Sequence, residues 1–193
     1  MAFDLNQFRN ALLHGGARPS QFEMEITWPV NIPSGIIAGS NFRFLCRVSK
    51  IPEATIGKID IPYFGRKLRF AGDREFGDLT VTVINDEDYK VRHAFEDWMR
   101  AITGHSTTVS QYNGGIATDT VSALSYATEG IVTQLSRNDR GTGQQHAYRF
   151  VGMWPSSLGE VALDWANYDA IEEFTVQFQY QWWEPVQTLG FAL

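Results

Sequence analysis

The sequence predicts a mainly β protein: an antiparallel β-sandwich or barrel with one flanking amphipathic helix. Three observations predict it. Apolar and polar residues alternate with a period of two in several short segments, among them Phe22–Trp28, Leu79–Ile84 and Phe174–Trp182. One substantial segment instead has helical period, with Val91, Ala94, Phe95, Trp98, Met99 and Ile102 inside an arc of about 140°. Strands and helices do not alternate, which excludes a doubly wound parallel sheet.

Along the chain, Leu5, Phe8 and Leu12 have helical spacing, with Asp4 placed to cap and Gly15-Gly16 to stop a short helix. Such a helix is marginal alone and needs a surface to dock on. Phe22, Met24, Ile26 and Trp28 then alternate with Glu23, Glu25 and Thr27 as a half-buried strand. Pro29, Pro33, Gly35 and Gly39 mark the next stretch as a loop, followed by a strand carrying Phe42, Phe44, Cys46 and Val48 on one face.

Residues 51–72 are proline- and glycine-punctuated yet rich in apolar side chains: Ile56, Ile59, Ile61, Tyr63 and Phe64. The prolines exclude a central strand, so an extended arm or hairpin is expected, greasier than a free loop. Lys67–Phe70 and Leu79–Ile84 read as strands. Asn85 or Asp86 is the expected N-cap of the amphipathic helix, and Gly104 its C-cap. Residues 103–130 are polar and read as a long surface loop. Strands are expected at Ile131–Leu135 and His146–Met153, joined by a turn at Asn138–Gly143. Pro155–Gly159 is expected to turn the chain, Val161–Leu163 to form a short strand, and Ile171–Trp183 the longest one, stopped by Glu184-Pro185.

The chain has 193 residues, which suggests one domain. Sixteen Lys+Arg against 22 Asp+Glu leave a formal charge of -6, so the surface should repel phosphate backbones. The single cysteine, Cys46, cannot form an internal disulfide or a thiolate zinc site, and its apolar strand face marks it as a small buried hydrophobe. No stretch approaches the ~20 apolar residues of a membrane span, and Met1–Asn6 does not resemble a secretory signal.

Catalytic signatures are weak. Gly141-Thr142-Gly143 starts like a dinucleotide fingerprint but lacks its third glycine, and a hairpin turn explains it better. His93, Glu96 and Asp97 lie one helical turn apart and could touch a divalent ion, but on a face where pairs with Lys90, Arg92 and Arg100 are ordinary. Asp164 and Asp169 could form a glycosidase-like carboxylate pair, though turn formation is the commoner role of such residues. Trp182 and Trp183 are adjacent on a strand and must point to opposite faces, one to the core and one outward. A glycan or ligand platform on Trp165, Trp182 or Trp183 is a possible alternative to core or subunit interface.

A collinear set of segments supplies a resemblance. Gly15–Ser20 leads into Phe22–Ile26. Cys46-Arg47-Val48-Ser49-Lys50-Ile51-Pro52 and Gly65–Arg74, with its Ala71-Gly72-Asp73-Arg74, follow. Thr80–Asp86 runs into Phe95-Glu96-Asp97-Trp98, and Met153-Trp154-Pro155-Ser156 precedes Glu160–Trp165. Together, over roughly Gly15 to Glu184, these resemble the tail tube proteins of contractile-tailed, myovirus-type bacteriophages. The resemblance implies a tail-tube-like β-barrel over residues 21–184, with an N-terminal helix and arm at 1–20 and a C-terminal tail at 185–193. It implies subunits that form hexameric rings, and rings that stack into a tube within a contractile sheath. The tube would hold a tape-measure protein, meet baseplate and terminator proteins, and pass DNA without binding it. No enzyme activity, cofactor or metal is implied. Within that reading, 51–72 is the ring-stacking arm, with Pro52, Ile56, Ile59, Ile61, Tyr63 and Phe64 at the ring-to-ring contact. Helix 86–103 packs on the sheet through Val91, Phe95, Trp98, Met99 and Ile102.

Overall fold

The structure is a computed structural model that describes residues 5–11, 17–103, 126–135, 146–166 and 168–186. In chain order its elements are α1 (Leu5–Ala11), β1 (Phe22–Ile26), α2 (Pro33–Leu45), β2 (Cys46–Val48), β3 (Ala54–Tyr63), β4 (Arg66–Phe76), β5 (Leu79–Ile84), α3 (Lys90–Ile102), β6 (Thr128–Gln134), β7 (His146–Leu158), β8 (Glu173–Gln179) and β9 (Trp182–Val186). Seven strands form one curled, nearly closed antiparallel sheet in the order β1-β6-β7-β8-β5-β2, with β9 also paired to β7. Strands β3 and β4 pair only with each other, as a separate two-stranded ribbon.

The period-two strands are where the alternation puts them. In β5, Leu79, Val81 and Val83 are buried; in β8, Phe174, Val176 and Phe178 are buried against them in register. Helix α3 lays Val91, Ala94, Phe95 and Trp98 on this layer, with Met99 and Ile102 half-buried beside it. The ring of Phe95 meets those of Phe174 and Phe178 edge-on.

The largest departure from expectation is α2. Residues 33–45 form a helix, not a loop followed by a strand, and only Cys46–Val48 of the expected strand is extended. Pro33 stands in the first turn, where its fixed φ favours helix entry. The buried face is Gly35, Ala38 and Phe42, at helical spacing. The glycines there do not break the chain. They admit the Trp28 ring, and a Cβ on Gly35 would lie 2.7 Å from it. Trp28 in turn packs against Phe42, Phe95 and Trp98 and locks α2 to α3.

Four smaller corrections follow. The residue preceding α3 is Tyr89, in left-handed conformation (φ 54°), and no side chain caps the helix; Asn85 is used elsewhere, as described below. Strand β7 continues through Pro155 to Leu158 instead of turning, because Gly152 (φ 67°) and a register shift between Pro155 and Ser157 let the strand bend and stay paired. Val161–Leu163 is not a strand but part of an exposed loop. The expected long strand 171–183 is divided at Tyr180-Gln181 into β8 and β9, and β9 runs on through Pro185. Trp182 is exposed there and Trp183 half-buried against Tyr148 and Phe76, so the two rings face opposite sides. The expected turn at 138–143, the glycines at 141 and 143, the C-cap at Gly104, most of loop 103–130 and the tail from 187 lie outside the described residues.

Candidate assembly interface

The ribbon is the most conspicuous surface. At about 3.3 Å per residue, the ten residues of β3 span about 33 Å. Every residue of β3 is exposed. Its root is held firmly: Phe76 packs between Tyr180 and Trp183, the Gly77 amide donates to the Glu53 carbonyl at 3.0 Å, and the Tyr180 hydroxyl donates to the Gly77 carbonyl at 2.5 Å. Pro52 is buried in this root, so it belongs to the subunit's own packing.

Register sorts the side chains of the ribbon. Ile59 pairs with Phe70, Ile61 with Leu68 and Tyr63 with Arg66. Directly paired residues share a face, so Ile59, Ile61, Tyr63, Leu68 and Phe70 make one apolar strip. Lys58, Asp60, Pro62, Lys67 and Arg69 take the other face, where Asp60 lies 4.0 Å from Lys67 and 3.7 Å from Arg69. Leu68 and Phe70 lie outside the apolar set expected from sequence; folding the chain about Phe64-Gly65 brings them onto the same strip, and that turn is the signal the sequence offers for it.

The tip is a two-residue turn with positive φ at both positions, 40° at Phe64 and 80° at Gly65. Such turns match the twist of the strands but favour Asn-Gly or Asp-Gly. A bulky residue in left-handed conformation is uncommon and costs about 1–2 kcal/mol. Phe64 is nevertheless there, 91% exposed and edge-on to Tyr63 at 4.7 Å.

A second exposed apolar surface is the loop between β7 and β8. Leu163, Trp165, Tyr168 and Ile171 all face solvent, and a groove runs between its limbs at 162–165 and 170–173. One end is pinned to α3 and the other to the segment that leads into it. At one end Arg92 donates to the Gly159 carbonyl at 3.2 Å. At the other, Asn85 and Tyr89, just before the helix, donate to the Glu172 carboxylate at 2.6 and 2.8 Å.

Most of the carboxylates weighed for chemistry already have partners within the subunit. Asp164 accepts the Ala166 amide at 2.9 Å and so shapes the turn. Glu96 meets Arg92 and His93, while Asp97 meets Arg100 and accepts the Ser34 hydroxyl at 2.8 Å, tying α3 to α2. Burial pushes the Cys46 thiol up to about 12, which makes it a poor nucleophile.

Residues 17–185 match the family described as phage tail tube protein. The chain belongs to that family. It is 32% identical to the tail tube protein gp19 of Enterobacteria phage T4 over 168 residues, covering 87% of this chain and 91% of that one. The match agrees with the resemblance drawn from the ordered segments between Gly15 and Glu184. The fold is shared more widely. A chain in the 6-fold symmetrised baseplate of the anti-feeding prophage superposes with a TM-score of 0.59 at 13% identity, over 89% of this chain and 95% of that one. A chain of the sheath–tube complex of the extracellular contractile injection system PVC gives 0.51 at 12% identity, over 96% and 100%. Tail tube membership accounts for a mainly antiparallel β-barrel whose flanking helix was legible and whose second helix, α2, was not.

Proposed function

We propose that this chain is the structural subunit of the inner tube of a contractile phage tail. Six copies form a ring, rings stack, and the β3–β4 ribbon of each copy lies against the neighbouring ring. The tip carries this reading: an exposed phenylalanine is held in a conformation that an asparagine or glycine would adopt at lower cost. Backbone strain of this kind persists where function needs the side chain. A partner surface that buries Phe64 and the strip of Ile59, Ile61, Leu68 and Phe70 supplies the reason. The outer edges of the large sheet, β1 and β2, supply the side-by-side contacts that close a ring and remove free strand edges.

The protein acts by shape. Sheath outside, tape-measure protein inside, and baseplate and terminator at the ends are its expected partners. Assembly takes place in the host cytoplasm, the tube is a part of the virion tail, and no catalysis is involved. The net charge of -6 suits a conduit that DNA must leave, since a basic lumen would hold phosphates through counterion release. Negative-stain imaging of the purified protein tests this reading, with rings or tubes expected. Ile59→Asp with Ile61→Asp should leave a folded subunit without tubes. Tubes that persist, or tight DNA binding in a low-salt gel shift, count against it.

The second reading is the tube of a headless injection or type VI-like secretion particle, favoured by the shared fold of the anti-feeding prophage and PVC chains. Capsid and terminase genes beside this one separate the two. A ligand-binding sandwich using Trp165, Trp182 or Trp183 would give discrete monomers and a fluorescence change with glycans.

A further inference from the structure

The ribbon needs a receiving surface, and the chain offers one. We infer that the loop between β7 and β8, residues 160–171, receives the β3–β4 ribbon of a copy in the adjoining ring. The inference rests on the stacking reading and names its other half.

Two complementarities support it. Both surfaces are apolar and exposed, and among the described residues neither has an intramolecular cover: the ribbon strip on one side, and Leu163, Trp165 (90% exposed), Tyr168 and Ile171 on the other. Their charges are opposite. Residues 54–76 hold five cations, Lys58, Arg66, Lys67, Arg69 and Arg74, against three acids, and Asp60 already serves Lys67 and Arg69. Beyond Arg149 the sequence contains no Lys or Arg at all. The loop therefore carries Glu160, Asp164 and Asp169 with no cation of its own, while neighbouring Glu173 is paired with Arg47. Arg66, paired with Tyr63, stands on the apolar face itself, while Lys58, Lys67 and Arg69 line the ribbon's other face, so the loop's acids meet Arg66 beside the strip and Lys67 next to it near the tip. Apolar contact combined with opposite charge selects one partner and one register. A head-to-tail contact between two different patches propagates along an axis, as stacked rings require. The two pinned ends, Gly159 and Glu172, hold the loop ready, so docking orders less chain.

Charge exchange tests it. Glu160 and Asp169 are exposed, and among the described residues neither side chain has a hydrogen bond or ion pair, so Glu160→Lys with Asp169→Lys spares the fold. That variant should lower the sedimentable tube fraction about ten-fold, as should Arg66→Glu with Lys67→Glu. All four changes in one chain should restore tubes. A neutral pair, Glu160→Gln with Asp169→Asn, checks the result without charge reversal and should form tubes whose yield no longer falls as salt rises. Normal tubes from the loop-reversed chain, no recovery in the fourfold variant, or an unaltered salt profile in the neutral pair overturns the assignment. The loop's aromatic patch would then belong to another protein or a glycan. The controls are separable: if Ile59→Asp with Ile61→Asp still abolishes tubes, stacking by the ribbon stands and only its receiver is wrong. If that variant forms tubes, the stacking reading itself falls.

Discussion

The Asn85 side-chain amide donates to the Glu172 carboxylate at 2.6 Å, and the Asn85 backbone amide donates to the Glu172 carbonyl at 2.9 Å. One residue thus joins the end of β5 to the end of the exposed loop. Tyr89 adds its hydroxyl to the same carboxylate oxygen, and that bond raises the phenol above its ordinary value. Left-handed Tyr89 carries the chain from this junction into α3, which explains a helix start without a side-chain cap.

Glu172→Ala should therefore strand a buried amide and a phenol together. A loss of about 1–3 kcal/mol is expected in urea unfolding of the subunit, since a buried donor without an acceptor bears its full desolvation cost. Glu172→Gln keeps an acceptor and should lose less. Equal stability of the alanine variant and the parent would show that the junction contributes nothing.

The contact of Trp28 with α2 makes a second prediction. A Cβ on Gly35 would sit 2.7 Å from two carbons of the Trp28 ring, and that ring is wedged among Phe42, Phe95 and Trp98. Gly35→Ala would ordinarily favour a helix by about 0.5–1 kcal/mol. Here overpacking should outweigh it and destabilise by about 1–3 kcal/mol. Thermal melting reads the sign, and a higher melting temperature would refute the close approach.

The same residues show what was legible beforehand. Strands such as β5 and β8 betray themselves by alternation, and α3 by its apolar arc, because one face of each meets the core. Helix α2 hides because its buried face is Gly35 and Ala38 as well as Phe42, and small residues leave little hydrophobic period to count. The arm was legible as apolar content that the prolines kept from a central strand. Which of its residues share a face was not, since that depends on register about Phe64-Gly65. The loop at 160–171 could not be recognised as a surface because the exposure of Trp165 is a property of the fold around it.

Titration of Tyr180 and Cys46 gives a pH dependence with a definite sign. Burial, and then the charge of Asp78, pushes the Tyr180 phenol up to about 12 from an ordinary value near 10, and burial alone pushes the Cys46 thiol from about 9 to about 12. Both groups hold their protons more tightly folded than unfolded. Their contribution is complete below pH about 9 and is lost as pH rises toward about 12. The urea midpoint should fall across that window, and Tyr180→Phe or Cys46→Ala should each flatten the fall. Alkylation of native Cys46 should be slower than in urea by about two to three orders of magnitude, following its smaller thiolate fraction. Equal rates in the two states would refute the raised pKa of the half-buried thiol.

Phe64 separates the needs of the subunit from those of the tube. Its φ of 40° beside Gly65 defines a turn that Asn-Gly forms with least strain. Phe64→Asn should relieve about 1 kcal/mol, which in amide exchange across the ribbon reads as about five-fold slower opening. The same change removes an exposed ring whose only aromatic partner among the described residues is Tyr63. The isolated ribbon should thus gain order while tube yield falls, a trade between local stability and assembly that no purely structural role for Phe64 produces. A variant with firmer exchange protection and undiminished tubes would show that the ring at the tip has no partner.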